Sequence, residues 1–118
     1  MQKDRGFTLV EMMIVIAVAG ILAGISAVAY QGYVQKTSEK SCLMELKGYA
    51  NYTFLALNDQ DDATNPSVPI VSVCTSITDA SAWDLNTSNK NLIGIPKYSG
   101  AKKSQCDLNI SPGCTLVP

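Results

Sequence analysis

The sequence predicts an α+β protein: one long N-terminal helix packed on a small antiparallel sheet, with disulfides tying the parts together. Three observations carry this expectation. An uncharged apolar stretch runs from Met12 to Tyr30, and no proline occurs from Met1 to Asn65. Short β-branched runs bounded by Gly, Pro, Asn and Ser fill the last third. The chain of 118 residues suits one domain.

Residues 1–6, "MQKDRG", form a polar leader carrying Lys3 and Arg5. The apolar stretch that follows is helical by composition and spans roughly 28 Å, close to the hydrocarbon thickness of a bilayer. Lys3 and Arg5 place its N-terminal end in the cytoplasm and the remainder outside. A cleaved signal peptide is the rival reading, with Ala27-Val28-Ala29 as the cut site and a soluble, disulfide-bonded binding module starting at Tyr30. The apolar run is longer than a usual signal core, and such a core has no use for Glu11.

Beyond Tyr30 the apolar spacing becomes one-sided. Leu43, Leu46, Ala50, Phe54 and Leu57 fall on one face, with Tyr49 and Thr53 beside them. Lys36, Glu39, Lys40, Glu45 and Lys47 read as the solvated remainder. From Phe7 to Leu57 this predicts one helix of about 50 residues, roughly 75 Å long. The following "NDQDDATNPSVP" is an acidic loop. Asp59, Asp61 and Asp62 invite a calcium reading, but Ala63 stands where a further oxygen ligand belongs, so the loop reads as solvated. Strands are expected in "PIVSVC", "NLIGIP", "CDLNI" and "CTLVP", laid on Leu43, Leu46 and Phe54. Trp83 plugs the edge of that core. Lys97, Lys102 and Lys103 form a basic cluster that reads as solvated surface ahead of a nucleic-acid contact.

Composition narrows the function. The chain has no histidine, which removes the commonest general base and the favoured zinc ligand. No catalytic, metal-binding or cofactor-binding set is expected, and the chain reads as a non-enzyme. A net charge of −1 argues against general nucleic-acid binding. Cys42, Cys74, Cys106 and Cys114 lack metal or redox spacing and suit disulfides in an exported head. Four cysteines allow three pairings. The Ser111-Pro112-Gly113 turn favours Cys106 with Cys114, which leaves Cys42 with Cys74.

Glu11 is the anomaly in the apolar stretch. Between Phe7 and Gln35 the chain has no lysine, arginine or histidine to neutralise it. An unpaired buried carboxylate costs several kcal/mol or becomes protonated. A cut between Gly6 and Phe7 creates an α-amine at Phe7, which Glu11 can meet in its own chain or in a neighbouring one displaced along the axis.

The segment "RGFTLVEMMIVIAVAGILAG" resembles the N-terminus of type IV pilins and the related type II secretion pseudopilins. The signature matches at Gly6, Phe7, Thr8, Leu9 and Glu11 and continues through Gly20 and "YQGYV". The resemblance, over about the first third of the chain, implies a type IV pilin fold with three parts: leader 1–6, transmembrane and filament-core helix 7–35, and head 36–118. It implies an inner-membrane precursor cut after Gly6 by a prepilin peptidase that also N-methylates Phe7. Inner-membrane assembly machinery then builds an extracellular homopolymer in which Glu11 pairs with a neighbour's N-terminus. In many such proteins a C-terminal disulfide loop, here Cys106–Cys114, shapes the exposed surface. Adhesion, twitching motility and DNA uptake are the family's filament roles, with DNA or a host surface as ligand. A minor pilin and a secretion pseudopilin are the alternatives within the resemblance. Val28 replaces the proline common in the family, which puts the usual kink in doubt.

Overall fold

A computed structural model describes residues 6–59 and 65–118. Leader residues 1–5, with Lys3 and Arg5, and residues 60–64, with Asp61 and Asp62 of the calcium reading, lie outside the described residues. The elements are one helix, α1 (Leu9–Asn58), and four strands: β1 (Cys74–Ile77), β2 (Asn91–Pro96), β3 (Lys103–Asp107) and β4 (Gly113–Val117). The chain divides into two compact units, one ending at Tyr33 and one running Val34–Pro118.

In the first unit every residue from Gly6 to Tyr33 is exposed. Ile14, Val15, Ile16, Leu22 and Ile25 are each more than half accessible. α1 is long and apolar enough here to cross a membrane. Apolar surface on this scale calls for lipid or protein cover. Ser26, a hydroxyl within the apolar run, donates to the Leu22 carbonyl at 2.7 Å, so the group is satisfied inside the helix. Val28 keeps its N–H, and helical structure continues through it.

In the second unit α1 buries Glu39, Cys42, Leu46, Ala50, Thr53 and Leu57, a stripe at steps of three and four. Leu43 and Phe54, expected at its centre, are half-buried at its flanks. The face turned to the sheet is the one bearing Cys42, whose sulfur is bonded to Cys74 of β1. The strands form an antiparallel meander in the order β1-β2-β3-β4. β2 buries Leu92, Gly94 and Pro96 in strict alternation, and β3 buries Ser104 and Cys106. The core joins Cys42, Leu46 and Ala50 to Cys74, Ile77, Ala80, Leu92, Cys106 and Leu108, and Trp83 packs at its margin. Gly94 has a packing reason. A Cβ there would lie 3.2 Å from the Cys42 sulfur and 3.5 Å from that of Cys74, so glycine lets β2 lie directly over the disulfide without displacing it.

Two strand expectations are corrected. "PIVSVC" is not a strand before Cys74, because the N–H groups of Ser72, Val73 and Cys74 donate to the Glu45 carboxylate in place of a neighbouring strand. "CDLNI" ends as a strand at Asp107, whose Oδ1 accepts from the Asn109 N–H at 2.9 Å and turns the chain. The same strand begins earlier than expected, in the polar run Lys103-Ser104-Gln105.

Candidate processing and assembly site

The first turn of α1 explains how a carboxylate is tolerated beside so much apolar surface. Thr8 precedes the helix, and its carbonyl accepts the first helical bond, from the Met12 N–H at 3.2 Å. Its Oγ1 accepts from the Glu11 N–H at 3.2 Å, while Oε2 of Glu11 accepts from the Thr8 N–H at 3.0 Å. This reciprocal pair is a capping box, which satisfies two N–H groups that the helix itself leaves without partners. It also sets a negative charge at the positive end of the helix dipole. The expected helix start at Phe7 is therefore moved to Leu9, because Thr8 is the cap. Gly6 and Phe7 precede it, open to solvent, with Phe7 80% exposed. The Thr-x-x-Glu spacing is itself a cap signal in the sequence, one that reading Glu11 by its charge alone misses.

The Phe7 amine postulated for Glu11 does not exist while the chain is uncut. Among the described residues of the uncut chain, the Glu11 carboxylate accepts from the Thr8 N–H through one oxygen, Oε2.

In the second unit two glutamates assigned to the solvated face have specific partners. Glu39 is buried, and its Oε1 accepts from the Lys102 N–H at 2.9 Å. Glu45 accepts from the Ser72 N–H (2.6 Å), the Ser72 hydroxyl (2.9 Å), the Val73 N–H (2.9 Å) and the Cys74 N–H (2.7 Å). Lys97 closes the arrangement by donating from Nζ to the Ser72 carbonyl at 2.6 Å. One turn along α1, the Tyr49 hydroxyl donates to the Ser67 carbonyl at 2.9 Å and accepts from the Ala80 N–H at 3.2 Å. The segment from Asn65 to Val73 is thus pinned to the helix without strand pairing. Nothing local in the sequence announces this, because the partners of Glu45 lie 27–29 residues away.

Desolvation tends to raise the Glu45 carboxyl, but the donors from Cys74, Ser72 and Val73 outweigh it and hold the group below the ordinary glutamate value. A depressed folded value means that the unfolded chain binds more protons in the interval, so stability rises with pH there. The contribution is present above the ordinary glutamate value and lost as pH falls through the folded one. Glu45→Gln replaces one acceptor oxygen with a donor and leaves N–H groups of Ser72–Cys74 facing an amide. Hydrogen exchange at Val73 and Cys74 is expected to quicken in the variant at neutral pH. Its unfolding midpoint should also fall less steeply on acidification than that of the parent.

The other residues singled out in the sequence are placed as follows. Cys42 bonds to Cys74 and Cys106 to Cys114. Lys97 is engaged as described, Lys102 and Lys103 are exposed, and no group of metal-holding side chains occurs among the described residues.

The family model described as the prokaryotic N-terminal methylation motif matches residues 1–27. Fimbrial protein Q of Moraxella bovis is 50% identical over 46 residues, 39% of this chain and 29% of that protein. The type IV major alpha-pilin of the same organism is 57% identical over 37 residues, 31% of this chain and 23% of that one. A fimbrial protein of Pseudomonas aeruginosa is 32% identical over 69 residues, 58% of this chain and 45% of its own length. The chain spans less than half the length of each of these relatives. No solved structure matches it significantly.

Proposed function

We propose that this type IV pilin, recognisable by its N-terminal segment, is a structural filament subunit cut after Gly6 and methylated at the Phe7 amine. The observation that carries the reading is Gly6-Phe7-Thr8-Leu9 with Glu11, set at the open start of a helix whose every residue up to Tyr33 is exposed. A membrane precursor supplies lipid to that surface, and a filament supplies the same face of neighbouring copies. Residues 1–6 are then the leader, 7–35 the transmembrane and filament-core helix, and 36–118 the exported head. The capping box leaves Gly6 and Phe7 outside the helix and exposed, where a peptidase can bind them. Self-association, a prepilin peptidase and N-methyltransferase, and inner-membrane assembly machinery are the partners this requires. The end state is an extracellular pilus serving adhesion, twitching motility or DNA uptake. An abundant product that polymerises alone marks a major pilin. Dependence on another subunit marks a minor pilin or a pseudopilin.

Replacing Gly6 by a bulky residue tests the cut. Gly6→Phe is expected to trap the uncut precursor in the membrane fraction, seen as a single larger species on immunoblots. Unchanged processing would remove the cleavage site from the account.

A further inference from the structure

Two pentapeptides in the second unit share one pattern, Asp84-Leu85-Asn86-Thr87-Ser88 and Asp107-Leu108-Asn109-Ile110-Ser111. Each contains Asn-x-Ser with x other than proline, the acceptor form for glycan attachment to asparagine, and each has an aspartate two positions before the asparagine. We propose that Asn86 and Asn109 are N-glycosylation sites, served by a membrane oligosaccharyltransferase whose donor is an oligosaccharide on a polyprenyl diphosphate.

The fold presents both segments in the same way. Asp84–Ser88 lies in the connection between β1 and β2, while Asp107 ends β3 and Leu108–Ser111 lies in the connection between β3 and β4. Asn86, Ser88, Asn109 and Ser111 are all exposed. In each the aspartate Oδ1 accepts from the asparagine N–H, at 3.0 Å for Asp84 with Asn86 and 2.9 Å for Asp107 with Asn109. Each aspartate carboxylate thus closes on the backbone of its asparagine, and the asparagine and serine of each pentapeptide are both exposed.

Two further asparagines serve as internal controls. Asn51-Tyr52-Thr53 has the bare acceptor spacing, but it lies within α1 and Thr53 is fully buried, so its hydroxyl is out of reach. Tyr49, not an acid, stands two positions before Asn51. Asn65-Pro66-Ser67 is blocked by its proline.

In the transfer, Nδ2 of the asparagine attacks C1 of the reducing-end sugar. The C1–N bond forms as the C1–O bond to the diphosphate breaks, the polyprenyl diphosphate departs with the bonding pair, and Nδ2 releases one proton. Nothing is oxidised or reduced. The product carries a bulky, hydrated group on each turn.

The proposal rests on the head being exported, as the filament reading requires. The test is to produce the full chain in a bacterium that has such a transferase and its carrier-linked glycan, and in a strain lacking the transferase. Peptide mass spectrometry then reads each asparagine, and the cysteine oxidation state reports export. Glycan is expected on Asn86 and Asn109 in the first strain only, with Asn51 bare in both. Asn86→Gln and Asn109→Gln each remove their own glycan. Asp84→Ala is expected to lower occupancy at Asn86 by about tenfold, the loss of one contact to a charged group, with Asn109 unchanged. Oxidised cysteines with bare Asn86 and Asn109, or glycan at Asn51, would overturn the proposal while leaving the filament reading intact. Reduced cysteines with bare asparagines would instead sink the export reading, and the proposal with it.

Discussion

Glu11→Gln is expected to leave the head folded and the helix start capped, yet to give no filaments. Glutamine at this position still presents an oxygen to the Thr8 N–H, so the reciprocal bonds with Thr8 are retained. What the variant loses is the charge. In the filament proposed above, the apolar helices pack together, and the Phe7 amine that cleavage would release has to find a counter-charge there. Leaving either ion alone in such surroundings costs several kcal/mol, far more than a cap contributes. Glu11→Ala removes both the cap and the charge, and is expected to fail at least as completely. Sheared surface fractions examined by electron microscopy and immunoblotting read both variants. If Gln assembles normally and Ala does not, the carboxylate acts as a helix cap and charge pairing drops out. If both assemble, Glu11 has no part in polymerisation.

Removing the Cys42–Cys74 bond should have the largest effect on the head itself. The two residues are 32 positions apart, and closing a loop of that length contributes roughly 3.5 kcal/mol in the chain-entropy account. The separation of 8 between Cys106 and Cys114 gives roughly 2.5 kcal/mol by the same reasoning. Small domains have only about 5–15 kcal/mol in total, so the first loss removes much of the margin. The Cys42→Ala, Cys74→Ala pair is expected to lower the unfolding midpoint by on the order of 15–25 °C. It also empties the space under Gly94 that the two sulfurs fill. Trp83, the single tryptophan, sits at the core margin and reports the transition by fluorescence in detergent-solubilised full chain. A midpoint shift smaller than that of the Cys106→Ala, Cys114→Ala pair would contradict this ranking.

Much of the architecture was legible because its determinants are local. The apolar run, the absence of proline before Asn65 and the one-sided spacing after Tyr30 each act within a few turns, and together they specify α1. β2 was legible too, since Asn91–Pro96 is a short run carrying the β-branched Ile93 and Ile95 between asparagine and proline. The start of β1 was not, because Val71 and Val73 have strand-like side chains while the neighbouring N–H groups are claimed by Glu45 from the distant helix. β3 begins in Lys103-Ser104-Gln105, where pairing with β2 and β4 overrides weak local preference. Glu39 shows the same limit. A charged residue at helical spacing looks solvated until a remote loop, here at Lys102, supplies its partner. The Thr8–Glu11 box is different in kind: its spacing is local and plain, and only the charge of Glu11 draws the eye away from its bonds.

The central claim is that Glu11 belongs to a mature chain whose N-terminus is made by cutting after Gly6. Intact-mass and N-terminal fragment spectra of the chain recovered from sheared surface filaments test it most directly. The account predicts a mature chain beginning at Phe7 and carrying one methyl group on its amine. A chain beginning at Tyr30, or one retaining the leader through Gly6, would contradict it.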